Sequence, residues 1–173
     1  EQLGIFDVPS KKLTLEEIRE EIDRNCTSKL HQLHKNIVFG EGNPKARLVF
    51  VGEAPGEEED KQRRPFVGRA GQLLTRIINA MGLERSDVYI TNVVKCRPLQ
   101  NRKPEPDEMA SCEPFLLMEL RTINPDVIVC LGATAAQSIL KTKENLGSLR
   151  GKFHSYGKAK VMVTYHPAAL LRN

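Results

Sequence analysis

The chain has 173 residues, of which 40% are hydrophobic, and it contains no tryptophan. That length is enough for one domain with a single core. The longest apolar runs, such as Val127 to Leu131, are far too short to cross a bilayer. We therefore expect a cytoplasmic, monomeric protein with no membrane partner.

The net charge of +4 is unevenly distributed. From Lys141 to the end, seven lysines or arginines stand against one acid, a local balance of +6, so the first 140 residues sum to −2. A second basic stretch, Lys95 to Lys103, contains no acid. Two such segments suit a polyanion if the fold brings them to one face, and solvated surface lysines are the alternative interpretation.

The first predicted element is an amphipathic helix over residues 13–23, begun by a capping box of Thr14 and Glu17. A polar connector follows and ends in a predicted loop at 40–44. Beyond it, β-branched apolar runs predict buried strands at 48–51, 88–90, 127–131 and 161–164, and helical patterns lie between them at 70–81, 107–123 and 133–140.

Strands that alternate with helices predict an α/β fold. We expect three α/β/α layers with a mainly parallel, four-stranded central sheet. Residues 1–173 are interpreted as a single domain, in which 1–45 form an N-terminal helix and connector and 46–173 form the α/β core.

The unusual residues of the sequence follow the predicted strands. Gly52 to Gly56 comes after the first strand, Asn92 ends the second, Gly132 follows the third, and His166 precedes a proline after the last. Ligands of open α/β sheets bind outside the carboxyl ends of the strands. The sequence therefore predicts a site where these segments meet.

Each feature also has an ordinary structural interpretation. The segment from Gly52 to Gly56 can be a tight turn, and it is neither a Walker loop nor a dinucleotide fingerprint. Asn92 offers a donor and an acceptor that match the edge of a pyrimidine, or it caps a turn. Phe66 lies in a loop and is either a stacking platform for a base or a buried anchor.

Of the four histidines, only His166 is a candidate for the site. His31 and His34 fall in the N-terminal connector, and His154 falls in a predicted turn region. A histidine fixed by a following proline at the end of a strand is the best placed of the four.

Five segments of the chain occur in the order of a known family. They are Val38–Pro44, Gly52–Leu74, Tyr89–Pro98, Leu131–Thr134 and His166–Asn173. Together they resemble the iron–sulfur-containing family 4 uracil-DNA glycosylases, from about Cys26 to the C terminus. The resemblance implies a monofunctional DNA-repair enzyme that hydrolyses the N-glycosidic bond of uracil in single- or double-stranded DNA, releases uracil and leaves an abasic site.

The resemblance also implies roles for individual residues. Phe66 would stack on the flipped uracil, and Asn92 would read its polar edge. His166 would face the uracil O2 and stabilise the negative charge that develops as the bond breaks. Gly52 and Ala54 belong to the same substrate-binding set.

Four further residues match family positions near the site. Glu53 or Glu59 would position the attacking water or balance the cationic sugar, and Glu59 is the candidate for the wall that excludes the 5-methyl group of thymine. Leu170 would enter the vacated base stack while Arg172 meets a phosphate. The alternative for Leu170 is packing in the core.

The family's [4Fe–4S] cluster is held by four thiolates, and this chain matches three of them, with Cys26, Cys96 and Cys112. Lys29 stands where the family has the second cysteine of its N-terminal pair. The chain is also one residue shorter there than the family pattern, so a cysteine is missing between Ser28 and Lys29. A cluster with a structural role is still expected. Cys130 lies within a strand and is interpreted as a core cysteine.

A smaller departure is Arg63, where the family commonly has glycine. Arginine is strained at that position if its φ is positive. Two other functions remain open: a non-catalytic module of the same fold that binds uracil or damaged DNA, and a nucleotide hydrolase that uses Gly52 to Gly56 as a phosphate loop. Asn92 and His166 favour the glycosylase over the binding module, and the hydrolase lacks a lysine partner and an evident metal site.

Overall fold

The computed structural model describes residues 11–34 and 36–172, which form a six-stranded sheet flanked by helices. Residues 1–10, 35 and 173 of the predicted domain lie outside the described residues. The strands are β1 (Glu41–Gly42), β2 (Leu48–Gly52), β3 (Tyr89–Asn92), β4 (Val127–Leu131), β5 (Phe153–Tyr156) and β6 (Ala159–Thr164). Their order across the sheet is β1-β3-β2-β4-β6-β5.

The four predicted strands are confirmed as the parallel centre of the sheet, since β3, β2, β4 and β6 pair in parallel. The two antiparallel edge strands were not predicted. Strand β1 has only two residues, and β5 carries exposed and half-buried residues in alternation, so neither forms an apolar run. The prediction that His154 lies in a turn was wrong, because it lies within β5.

The helices are α1 (Leu15–Asn25), α2 (Lys29–His34), α3 (Glu57–Gln62), α4 (Arg69–Ala80), α5 (Pro106–Ile123), α6 (Ala133–Leu140), α7 (Leu146–Leu149) and α8 (Pro167–Leu170). Helices α1, α4, α5 and α6 confirm the predicted ones to within two residues at each end. The polar connector after α1, for which no helix was predicted, contains α2, and the acidic run after β2 forms α3. None of the helices in the described ranges is both long and apolar enough to span a membrane.

The three layers follow from the way successive side chains of a strand pack on opposite faces of the sheet. Val49 and Val51 of β2 pack with α5 and α6 in the largest apolar cluster. Phe50, between them, packs in a second cluster with Leu74 and Ile78 of α4. Since successive side chains of a strand point to opposite faces, α4 lies on one face of the sheet and α5 and α6 lie on the other.

Helix α1 begins with the predicted capping box. The backbone N–H of Thr14 donates to the Glu17 carboxylate at 2.8 Å, and the N–H of Glu17 donates to the Thr14 hydroxyl at 3.2 Å. The buried side chains Ile18 and Ile22 pack against Phe115 on α5. The N-terminal segment is thereby attached to the helix layer that also carries Cys112.

Candidate functional site

The carboxyl ends of the parallel strands open into a cleft of about 840 Å³. Seven of the predicted site residues line it: Glu53, Ala54, Glu59, Phe66, Asn92, His166 and Arg172. Two others lie close by: Gly52 packs against two of the lining side chains, and Leu170 lies on α8, between lining residues Ala169 and Arg172. The structure therefore brings the predicted residues together, while their chemical roles stay predictions.

Asn92 is held at the end of β3 by its pairing with Gly52 at the end of β2. Only 2% of Asn92 is exposed, and its Oδ1 has no hydrogen-bond partner among the described residues. A Cβ on Gly52 would lie 2.5 Å from that oxygen and 2.5 Å from the Phe66 ring. Glycine is therefore required for the amide and the ring to approach each other.

The turn that carries Phe66 is braced from behind. Phe66 has a φ of 51°, an uncommon conformation for a bulky residue. Arg85 donates to the carbonyl oxygens of Pro65 and Phe66, each at 2.8 Å. A Cβ on Gly71 would lie 1.9 Å from the Phe66 carbonyl carbon, so only glycine lets α4 pack so closely. No sequence pattern indicated the role of Arg85, which lies 19 residues from Phe66.

His166 caps α8, and this contact fixes its tautomer. Its Nδ1 accepts a hydrogen bond from the backbone N–H of Ala168 at 3.0 Å. In the neutral imidazole the proton is therefore on Nε2, which is left as a donor. Burial lowers the pKa of His166, and the nearby Glu53 carboxylate partly opposes that shift. The His166 ring lies 5.5 Å from the Phe66 ring, centroid to centroid, at an angle of 30°.

The two candidate carboxylates differ in their surroundings. Glu59 accepts hydrogen bonds from the backbone N–H groups of Gly56, Val67 and Gly68 at 3.0, 2.9 and 2.6 Å. These bonds tie α3 to the turn that holds Phe66. Glu53 lines the cleft just after β2 and interacts electrostatically with His166. Glu59 is therefore engaged in positioning the loop, whereas Glu53 lies in the lining of the cleft.

Parts of both basic segments reach the cleft. Arg102 and Lys103 line it from one segment and Arg172 from the other. Leu170 is 49% exposed, which contradicts the alternative that it packs in the core. An exposed leucine beside cationic side chains is suited to contact with a nucleic acid.

Lys95 does not belong to this cationic surface, although the sequence placed it in a basic stretch. Its side chain is fully buried and forms an ion pair with Glu119. The Lys95 ammonium also donates to the Thr91 hydroxyl and to the Asn92 carbonyl oxygen, both at 2.7 Å. The Tyr89 hydroxyl donates to Glu119 at 2.6 Å. This network supports β3 directly behind Asn92.

Three of the four cysteines converge behind the same strand. Interaction with the Cys112 thiol lowers the pKa of Cys26 to about 7, and Cys112 also interacts electrostatically with Cys96. Burial raises the pKa of Cys96 to about 12. The Nδ1 of His31 lies 3.8 Å from the Cys96 sulfur. Cys130 is fully buried within β4, as predicted for a core cysteine.

The cysteine side chains are the candidate ligands for a metal group. In the described part of the chain, no three histidine, cysteine or acidic side chains form a ready site for a single ion. Cys26, Cys96 and Cys112 nevertheless interact with one another, and thiolates are the ligands that iron–sulfur clusters take. The residues present therefore fit a [4Fe–4S] cluster, with three of its four ligands supplied by cysteine.

Comparison with known proteins identifies the family of the chain. A family model described as the uracil DNA glycosylase superfamily matches residues 39–173. The type-4 uracil-DNA glycosylase of Thermotoga maritima is 53% identical over 162 residues, which cover 92% of this chain and 84% of that protein. The type-4 enzyme of Archaeoglobus fulgidus is 47% identical over 166 residues, with 91% and 83% covered.

The chain belongs to the uracil DNA glycosylase superfamily. Within it, the type-4 enzymes are more similar than the type-5 uracil-DNA glycosylase of Thermus thermophilus, which is 34% identical over 119 residues, covering 60% of this chain and 53% of that protein. The resemblance to family 4 that the motifs indicated is thereby confirmed, and with it the fold class.

Proposed function

We propose that this protein repairs DNA by hydrolysing the N-glycosidic bond of uracil, which releases the base and leaves an abasic site. The relatives named type-4 uracil-DNA glycosylases support the activity. The observation that carries the proposal is the buried Asn92 amide, whose Oδ1 has no partner in the described ranges and which lies beside the Phe66 ring. A bound base that donates to this oxygen removes the cost of leaving it unpaired.

The polarity of the Asn92 amide selects uracil. Uracil presents the N3–H donor next to the O4 acceptor, so the amide oxygen accepts from N3–H and the amide nitrogen donates to O4. Cytosine presents an acceptor at N3 and an amino donor beside it, which is the reverse pattern. A site that leaves buried polar groups opposed rejects such an analogue strongly. Phe66 adds stacking that offsets the cost of flipping the base.

His166 stabilises the leaving group. When the glycosidic bond breaks, its electron pair stays with uracil, and the negative charge is shared by O2. Because Nδ1 accepts from Ala168, the Nε2–H of His166 is the available donor for that oxygen. A fixed donor to charge that develops in the transition state is worth roughly 3–4 kcal/mol. The lowered pKa of His166 keeps the imidazole neutral before the reaction begins.

The two acidic residues divide the remaining work. We propose that Glu53 positions the attacking water or balances the positive charge of the sugar, because it faces the cleft beside His166. Glu59 holds the loop through three backbone N–H groups, and this fixed wall is the proposed barrier to the methyl group of thymine. Gly52 and Ala54 complete the substrate-binding set.

DNA is bound at the rim of the cleft. We propose that the exposed Leu170 enters the space vacated by the flipped base and that Arg172, with Lys103, meets the phosphates. This arrangement suits single strands as well as duplexes, since both expose a backbone of phosphates. The substrate partner is therefore uracil-containing DNA, and the proposed acting species is a monomer with one domain over residues 1–173.

The non-catalytic alternative makes different demands on the site. A module that only binds uracil needs Asn92 and Phe66, but it has no use for a histidine whose tautomer is fixed with Nε2–H as a donor. The experiment is excision of uracil from a labelled oligonucleotide, followed by alkali to cut abasic sites. Single-turnover rates are compared for the original protein, His166→Ala and Asn92→Ala.

We expect His166→Ala to lower the excision rate by about 10²–10³-fold while binding to uracil DNA persists. The matched control is His154→Ala, which removes a half-buried imidazole from the edge strand β5, and it should retain full activity. Absence of cleavage by the original protein, under conditions where a known glycosylase acts, would exclude the enzymatic function. Full activity of both site variants would show that the site is assigned incorrectly.

We further propose that Cys26, Cys96 and Cys112 hold a [4Fe–4S] cluster. When bound, the cluster supplies a structural cross-link and no step of the excision. It would join the end of α1, the segment after β3 and the middle of α5, which are otherwise distant in sequence. Iron and sulfide analysis of the purified protein tests this part of the proposal.

A further inference from the structure

The cysteine region, formed by Cys26, Cys96 and Cys112, supplies three thiolates. A cluster with four ligands therefore needs a fourth ligand of another kind. Lys29, which stands where the family pattern has cysteine, does not supply it. Its side chain is 70% exposed, and its ammonium is paired with Asp107 at 3.1 Å. Cys130 is enclosed within β4, where it pairs with Val51 and Val163 of the neighbouring strands.

His31 is placed by the start of α2. The hydroxyl of Ser28 accepts from the backbone N–H of Leu30 at 3.3 Å, and the carbonyl oxygen of Ser28 accepts from Gln32 at 3.2 Å. These bonds begin the helix directly after Ser28. Because successive residues of a helix are about 100° apart, His31 points roughly opposite to Lys29. Lys29 therefore faces solvent while the His31 imidazole faces Cys96.

We infer that His31 is the fourth protein ligand of the cluster, in the place of the missing cysteine. The inference rests on the proposed cluster and deepens it. Nδ1 of His31 lies 3.8 Å from the sulfur of Cys96, which is itself fully buried. Imidazole nitrogen is a suitable ligand for iron, and histidine replaces cysteine on iron in some iron–sulfur centres.

Asp60 is the competing candidate. Its Oδ1 is buried without a hydrogen-bond partner among the residues described, and its charge acts on Cys96. A carboxylate oxygen, however, is a harder ligand that suits magnesium, calcium and manganese better than iron–sulfur clusters. The imidazole is also the group in hydrogen-bond range of a cluster cysteine. The observations therefore favour His31.

The test compares the full chain with His31→Ala, His31→Cys, Asp60→Asn and Lys29→Ala, all reconstituted anaerobically with iron and sulfide. Iron and sulfide content, visible absorption and the rate of iron loss to a chelator are measured. Lys29→Ala is the matched control, since it alters the same helix on its exposed side. Pulsed EPR of the reduced protein, with and without ¹⁵N-histidine, reports a nitrogen bound to the cluster.

We expect the ¹⁵N label to change the nitrogen coupling of the original protein and of Lys29→Ala. His31→Ala should lose iron more than about tenfold faster, because even the loss of an outer-shell partner weakens metal binding roughly 10–100-fold. His31→Cys should restore the cluster, remove the nitrogen coupling and lower the reduction potential, as expected when thiolate replaces imidazole. This restoration separates loss of a ligand from a general failure to fold.

Several results would overturn the inference. One is a cluster in the original protein that shows no histidine nitrogen coupling. Another is loss of the cluster in Asp60→Asn together with its full retention in His31→Ala. Protein that binds zinc or no metal at all would overturn the cluster and the His31 ligand together. The excision assay is independent of these readouts, so failure of the glycosylase function is recognised separately.

Discussion

The cleft and the cysteine region lie on either side of the same strand end, yet they are constructed differently. In the cleft, Asn92 and His166 follow parallel strands, and the pairing of Gly52 with Asn92 fixes their relative positions. In the cysteine region, Cys26 and Cys112 come from helices, and Cys96 comes from the segment after β3. Among the residues described, these three lie outside the strands, so strand pairing does not set their spacing.

The predicted cleft residues lie together, whereas the cysteine region departs from the family pattern at one ligand. A strand end holds its side chain in place through the sheet register, so changes elsewhere leave it intact. A ligand in a connector depends on where a short helix begins. Loss of one residue between Ser28 and Lys29 is compatible with the fold, because Ser28 still begins α2 and His31 then faces Cys96.

Lys95 joins the two regions, and its removal is the largest effect we expect. Its ammonium supports the Asn92 carbonyl, and the next residue is Cys96. Lys95→Met leaves the Glu119 carboxylate buried without a cationic partner, which should lower the free energy of unfolding by roughly 3–5 kcal/mol. Urea denaturation measures the loss, and both uracil excision and iron retention should fall.

The double variant Lys95→Met/Glu119→Leu is the control for this prediction. It removes both charges, so it should recover much of the stability lost in the single variant. The exposed Lys103, changed to methionine, should leave stability nearly unaltered. If Lys95→Met loses only excision or only iron retention, the two regions are independent and the connection through Lys95 is wrong.

Arg85→Met tests the cleft alone and should have an intermediate effect. The guanidinium donates to the carbonyl oxygens of Pro65 and Phe66, and hydrogen bonds to a charged group contribute about 1.5–3 kcal/mol. Its loss frees the Phe66 turn, so the excision rate should fall while iron content is unchanged. Melting temperature and single-turnover excision measure the two consequences.

The control for Arg85 is Arg76→Met, which changes an exposed arginine of α4. This variant should match the original protein in both measurements. A variant at Arg85 that is destabilised but excises uracil at the original rate would show that the Phe66 turn holds its conformation without the brace. Arg85 would then be a structural residue with no influence on the site.

The features predicted correctly from the sequence are those that depend on apolar runs and on the residues at strand ends. The four central strands read as continuous β-branched segments, and the residues that follow them form the cleft. The acidic run that became α3 was not predicted as a helix, although acids in a first turn stabilise a helix N terminus and Glu59 caps it. Local signals of this kind are weak until the tertiary structure fixes the loop.

Contacts between distant residues were beyond reach of the sequence. Lys95 was interpreted as part of a basic surface because its ion-pair partner, Glu119, is distant in the sequence. His31 was set aside for the same reason, since its contact with Cys96 spans 65 residues. A charged residue is buried only where a partner is supplied by another element, and sequence periodicity does not identify that partner.

Arg63→Gly should have the smallest effect and should touch neither region. Arg63 ends α3 with a φ of 55°, which confirms the positive φ considered from the sequence. The left-handed conformation costs a non-glycine residue roughly 1–2 kcal/mol, and the flexibility of glycine in the unfolded chain returns about 0.4–1 kcal/mol of that. The net gain in unfolding free energy should therefore lie between about 0 and 1.6 kcal/mol.

Arg63→Ala separates the backbone from the side chain. Both variants lose the hydrogen bond of Arg63 to Asn36, which measures 3.0 Å, but only glycine relieves the positive φ. We therefore expect Arg63→Gly to be more stable than Arg63→Ala in urea, with excision and iron content equal in both. Equal stability of the two variants would mean that the positive φ at the end of α3 causes little strain. The surrounding loop would then impose this backbone conformation at little cost to a non-glycine residue.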